Sequence, residues 1–81
     1  MRIPTVHLNG TGKEMLTKGY TEAYHALQAA EQSLCEIEFN ARDYYIQGPD
    51  AWTEAKKEMD ARLDVIGKIK IEIENILIAI D

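Results

Sequence analysis

The sequence predicts an all-α protein: a long antiparallel two-helix hairpin with a short N-terminal extended arm, assembling with further copies into a helical bundle. Three observations carry that prediction. Two segments repeat apolar residues at steps of three and four for several heptads each. A polar and aromatic stretch, Asn40–Asp50, stands between them and is longer than the 2–5 residues a plain helical turn needs. The carboxyl-terminal segment also carries Val65, Ile71, Leu77 and Ile78 outside its main stripe, more apolar surface than one partner helix covers.

The 81 residues make one domain at most, near the size where a lone hydrophobic core becomes marginal. Its parts are an arm over 1–11, a helix over about 12–40, a connector over 40–50 and a helix over about 50–79. Ile3 to Leu8 alternates around Pro4 and reads as an extended arm or edge strand, which must lie on a helix or pair with another copy. Thr11 and Glu14 form a capping box, so the first helix starts near Gly12. Its seam runs Leu16, Tyr20, Ala23, Leu27, Ala30, Leu34, Ile37, Ala41, with Lys18, Glu22, Gln32 and Glu36 opposite.

The second helix opens at Gly48-Pro49-Asp50, with proline in the first turn and an acid at the positive helix end. Its seam is Trp52, Ala55, Met59, Ile66, Ile69, Ile73, Ile76 and Ile80. Arg62 is the polar member, paired with Glu58. Lys68 to Glu74 alternates like a strand, yet no turn residue precedes it and the helical phase carries through. Gly19 and Gly67 fall roughly level on the two helices and would permit close approach there.

Fourteen acidic against nine basic residues give a net charge of −5, which opposes binding to duplex nucleic acid or an anionic membrane. No apolar run reaches spanning length, and the amino end lacks a signal peptide. The single Cys35 excludes an internal disulfide, fits a reducing cytoplasm and reads as a small buried hydrophobe. His7 and His25 are not at metal spacing, no nucleophile–base–orienter set is present, and neither a metal, a cofactor nor catalysis is expected.

Two stretches are candidates for binding. In the first, Asn9, Gly10, Thr11, Gly12 and Lys13 precede a helix amino terminus, where free amides and the macrodipole favour an anion. Gly10-Thr11-Gly12-Lys13 is no Walker A loop, because His7 stands where the first glycine belongs and Glu14 where a Ser/Thr should ligate magnesium. The plain alternative is an ordinary turn and cap. In the second, Tyr44, Tyr45 and Trp52 offer flat faces, Arg42 a grip for phosphate, and Asn40, Asp43 and Gln47 polar contacts. Here the plain alternative is that the tyrosines and Ile46 plug the bundle end while Asn40 and Asp43 cap helices.

The blocks Ile3-Pro4-Thr5-Val6-His7-Leu8-Asn9-Gly10-Thr11 and Ala41-Arg42-Asp43-Tyr44-Tyr45, followed by Gln47-Gly48-Pro49-Asp50-Ala51, resemble those of short proteins encoded by tailed phages and prophages. Glycine stands at position 12, where those proteins are associated with serine. The resemblance implies a small phage accessory protein acting in a bacterial cytoplasm, of a kind that often counters host defence. Joined to the residues, it leads to the expectation of a non-enzymatic homo-oligomer, dimer or larger, that binds a small anionic ligand such as a nucleotide signal. The rival expectation is a protein–protein inhibitor or adaptor that docks through Tyr44, Tyr45, Ile46 and Trp52. Helices about 40 Å long put Asn9–Lys13 and the connector at opposite ends. They can share a ligand only where a second subunit packs antiparallel, and symmetry then makes at least two such sites.

Overall fold

Helical periodicity in the sequence becomes two helices side by side. The computed structural model describes all 81 residues and contains α1 (Lys13–Glu36) and α2 (Ala51–Ile80), packed as an antiparallel hairpin. The Lys68–Glu74 segment is helical, as continuity of phase required. Both helices differ from expectation at their ends. Gly12, extended, is the N-cap of α1, and no side chain caps it. The helix thus starts one residue too late for a Thr11–Glu14 box, although Glu14 still sits in the first turn, where its charge suits the dipole. Helix α1 stops at Glu36, where Ile37 turns extended, so Ile37 and Ala41 leave the expected seam. Pro49 lies outside α2, ahead of its N-cap Asp50, whose carboxylate makes no cap bond. Gly48 has φ 128°, a left-handed conformation that explains glycine at this corner.

The seam between the helices is turned relative to the sequence pattern. On α1 the partly covered residues are Leu16, Tyr20, Thr21, Tyr24, Leu27, Glu31 and Leu34, while Ala23 and Ala30 are exposed. Lys70 is the cause. It reaches from α2 to within 3.0 Å of the Glu31 carboxylate, and its ammonium lies 5.5 Å from the centre of the Tyr24 ring. The crossing therefore takes a tyrosine and an acid where alanines were expected. On α2, Leu63 and Lys70 face inward in place of Arg62 and the more exposed Ile69. Arg62 stays outside, 4.0 Å from Glu58. Gly19 and Gly67 mark no close approach: the Glu31–Lys70 pair puts Gly67 beside the last part of α1, and a Cβ at either glycine would meet nothing within 4 Å. Cys35 is exposed, not buried.

The arm forms no strand. It ends in a turn where the Gly10 amide donates to the His7 carbonyl at 3.2 Å, and it leaves Ile3, Val6 and Leu8 exposed. No helix is long and apolar enough to cross a membrane.

Only Ala55, Ile76 and Ile80, 3 of 81 residues, are buried. The chain measures 61 × 21 × 16 Å with a radius of gyration of 18.3 Å, where a compact domain of this length would have about 12 Å. Its accessible surface of 6354 Å² exceeds by about 1,400 Å² the roughly 4,900 Å² expected of a folded monomer of 9.2 kDa. One hairpin thus keeps most of its apolar side chains wet.

Candidate functional site

The connector, residues 37–50, is built from two short 3-10 turns, Ala41–Asp43 and Tyr45–Gln47. What holds it is Phe39, which the sequence reading did not single out. Its ring centre lies 4.8 Å from Trp52 and 5.6 Å from Tyr44, and Tyr44 lies 5.8 Å from Trp52. Three partly covered aromatic rings close the end of the hairpin, and drawing Phe39 into them is what ends α1 early. The signal was present as an aromatic residue between Ile37 and Ala41, off the steps of the expected α1 seam.

The rings divide the connector into an anchored and a free part. Tyr44 and Trp52 are anchored, whereas Tyr45 is 71% and Ile46 79% exposed. Arg42, Asp43 and Gln47 are exposed as well, and Asn40 is half-covered. None of these polar side chains makes a hydrogen bond or ion pair within the chain. Asn40 stands before the first 3-10 turn, but only its carbonyl is used, accepting from the Asp43 amide at 3.1 Å. The expected side-chain capping by Asn40 and Asp43 is absent.

At the other end of the molecule, Asn9, Gly10, Thr11 and Gly12 are exposed. Lys13 joins the chain's two ends, its ammonium 3.7 Å from the Asp81 carboxylate and 3.4 Å from the Asp81 carbonyl. Within one chain the two candidate stretches are not brought together.

Midway along the hairpin lies a polar cluster that the sequence did not disclose. Tyr24 titrates above its ordinary value, first through the interaction of its hydroxyl with the Glu74 carboxylate, then through loss of solvent. Lys70 is also raised, chiefly by the Glu31 carboxylate that accepts its hydrogen bond; partial desolvation opposes this. Hydrogen bonds of this kind fix register between two smooth helices more than they add stability.

Three open grooves mark the surface, and no connector residue lines any of them. The largest, about 690 Å³, runs along one side of the hairpin past His25, Gln28, Gln32, Cys35 and Leu63. An apolar one of about 310 Å³ lies on the other side, between Met15, Gly19 and Ala23 of α1 and Ile73 of α2. The third lies at the open end of the hairpin, opposite the connector, between Lys13, Lys18 and Asp81. Comparison of the chain with protein-family models, with curated proteins and with solved structures returns no match.

Proposed function

We propose that this chain is a non-enzymatic, homo-oligomeric accessory protein that holds a small anionic ligand of nucleotide class at subunit interfaces. In the reading implied by its resemblance to short phage proteins, that ligand is a signal of host defence and the protein sequesters it in the bacterial cytoplasm. One observation carries the proposal. Arg42, Asp43, Tyr45 and Gln47 are displayed, without partners in their own chain, on a turn that Phe39, Tyr44 and Trp52 hold fixed. A guanidinium, a flat ring, an acid and an amide on one rigid turn match the phosphate, base and ribose of a nucleotide. Asn9–Lys13 of a second copy supplies the other wall, since the 61 Å length of one chain keeps its own copy of that stretch away.

A second reading has its own support. Tyr45 and Ile46 are adjacent and exposed, and no cavity opens beside them, which suits docking on a flat protein surface. Titration with a panel of linear and cyclic nucleotides, followed by thermal shift, separates the two. A ligand at about a hundred times its Kd raises stability by about 2.7 kcal/mol. Binding that Arg42→Ala abolishes without changing oligomer size supports the pocket. No shift with any nucleotide, together with a protein retained through Tyr45 and Ile46, overturns it in favour of docking.

A further inference from the structure

The flank of α1 that faces away from the hairpin seam carries an order which packing within one chain does not use. Met15, Gly19, Ala23, Ala26, Ala30 and Ser33 follow one another at three- and four-residue steps, so they share a face, and Ile37, the C-cap residue, stands at the end of that row. All seven are exposed, and none is charged. The apolar groove between Gly19, Ala23 and Ile73 shows which side of the hairpin they occupy. Ile69 and Val65 extend the ridge of Ile73 by steps of four on α2, and both are exposed. The other side of the hairpin presents His25, Gln28, Gln32 and the Lys70–Glu31 pair. The first side is therefore the more apolar, whereas the other is mixed, with Ala29, Cys35 and Leu63 among its polar groups.

The face is also symmetric in residue size. Large residues, Met15 and Ile37, stand at its ends, equally distant from Ala26. Gly19 and Ser33 are equidistant from Ala26, and Ala23 and Ala30 are so to within one residue. A helix packed antiparallel on its own copy brings together residues equally spaced on either side of the two-fold axis. Such a pair centred on Ala26 sets Met15 against Ile37 at both ends. Between them only small side chains meet, so the two backbones can come to the near end of the 8–10 Å range of helix packing. Parallel packing would oppose Met15 to Met15 and Ile37 to Ile37 with the same small residues between, so residue size does not choose the direction. The antiparallel one is chosen because it alone brings the turn before α1 of one chain to the connector of the other, as the proposed function requires.

We infer that a second copy of this chain covers this face, α1 lying antiparallel on α1 with the two-fold axis at Ala26. The inference rests on the homo-oligomeric reading above and adds its register. The occupant is a copy because the surface one chain leaves exposed beyond that of a folded monomer is of the size an obligate dimer buries per partner. The same register sets Lys13 of one chain level with Phe39 of the other, so the turn before α1 meets the start of the connector.

Mild oxidation of single-cysteine variants in a Cys35→Ser background tests this, because a disulfide requires Cα atoms within about 7 Å. Ala26→Cys is expected to form a covalent dimer with itself and Gln28→Cys, on the mixed side, to form none. Met15→Cys mixed with Ile37→Cys should link to each other, and Met15→Cys alone should not. All these sites are exposed, so the substitutions leave the hairpin seam intact. A dimer in sedimentation that links through Gln28→Cys, or through Met15→Cys alone, overturns the register and leaves homo-oligomerisation standing. A monomer at every concentration overturns both. Crosslinking at Ala26 with no nucleotide bound retains this interface and removes the ligand.

Discussion

Dilution is the perturbation that separates a self-sufficient hairpin from an obligate assembly. Each chain exposes about 1,400 Å² more than a compact monomer of its mass, so a dimer that recovered the excess on both chains would bury about 2,800 Å². That lies within the roughly 2,000–5,000 Å² of obligate homodimers, whose folding and association are one equilibrium. For such a dimer, a thousandfold dilution removes about 4.1 kcal/mol of stability. A unit of this size loses about 2–4 °C of melting temperature per kcal/mol, so the midpoint should fall by about 8–16 °C. Circular dichroism melts across that concentration range, with sedimentation at both limits, measure it. A midpoint that stays put while the mass remains that of one chain would refute the reasoning, since two helices with three buried residues would then be stable unaided.

Ile76→Ala, at one of the three buried positions, should cost about 2–3 kcal/mol in chemical denaturation, the low end for such a truncation because a single helix packs on it. Trp52→Ala should remove about 2 kcal/mol, less than the roughly 3–5 kcal/mol of a fully buried ring because Trp52 is only partly covered, and increase hydrogen exchange at 39–44, since its ring touches both Phe39 and Tyr44. Ala26→Arg should halve the sedimenting mass and lower the helical signal with it, whereas Gln28→Arg should change neither. Tyr24 and Lys70 are both raised in the folded state, so their contribution is complete below the unfolded values near 10 and is lost as pH rises through the folded ones. Alkaline titration should therefore show stability falling above about pH 10, and Lys70→Met should flatten that fall.

The parts of this fold that could be read from sequence are those set by period and by backbone chemistry. Steps of three and four located both helices to within a few residues, and the unbroken phase through Gly67 decided helix over strand for an alternating isoleucine run. Period alone could not tell which of two adjacent faces turns inward. On α1, the Ala23–Ala30–Ile37 ridge and the Tyr24–Glu31 ridge lie side by side, and a heptad rule favours the alanines because they are apolar. The hairpin took the polar ridge because a half-buried lysine needs a carboxylate and a ring, a demand made by Lys70, far along the chain.

The same choice explains both the connector and the unfilled face. Phe39 was invisible to period because it acts after the helix has ended, through rings brought near by the turn it helps to fix. The alanine ridge is a seam without a partner in its own chain. Its expected place was inside the hairpin, and once Tyr24 and Glu31 occupy that place it is left facing outward with Met15 and Ile37 at its ends. A sequence with one apolar stripe per helix folds as a hairpin and stops there. This one carries a second stripe on α1, uncharged over its whole length, and water is a poor partner for it. In the proposed assembly the binding surface depends on the second stripe, because only a register fixed between chains would put the turn before α1 beside the connector that Phe39 holds in place.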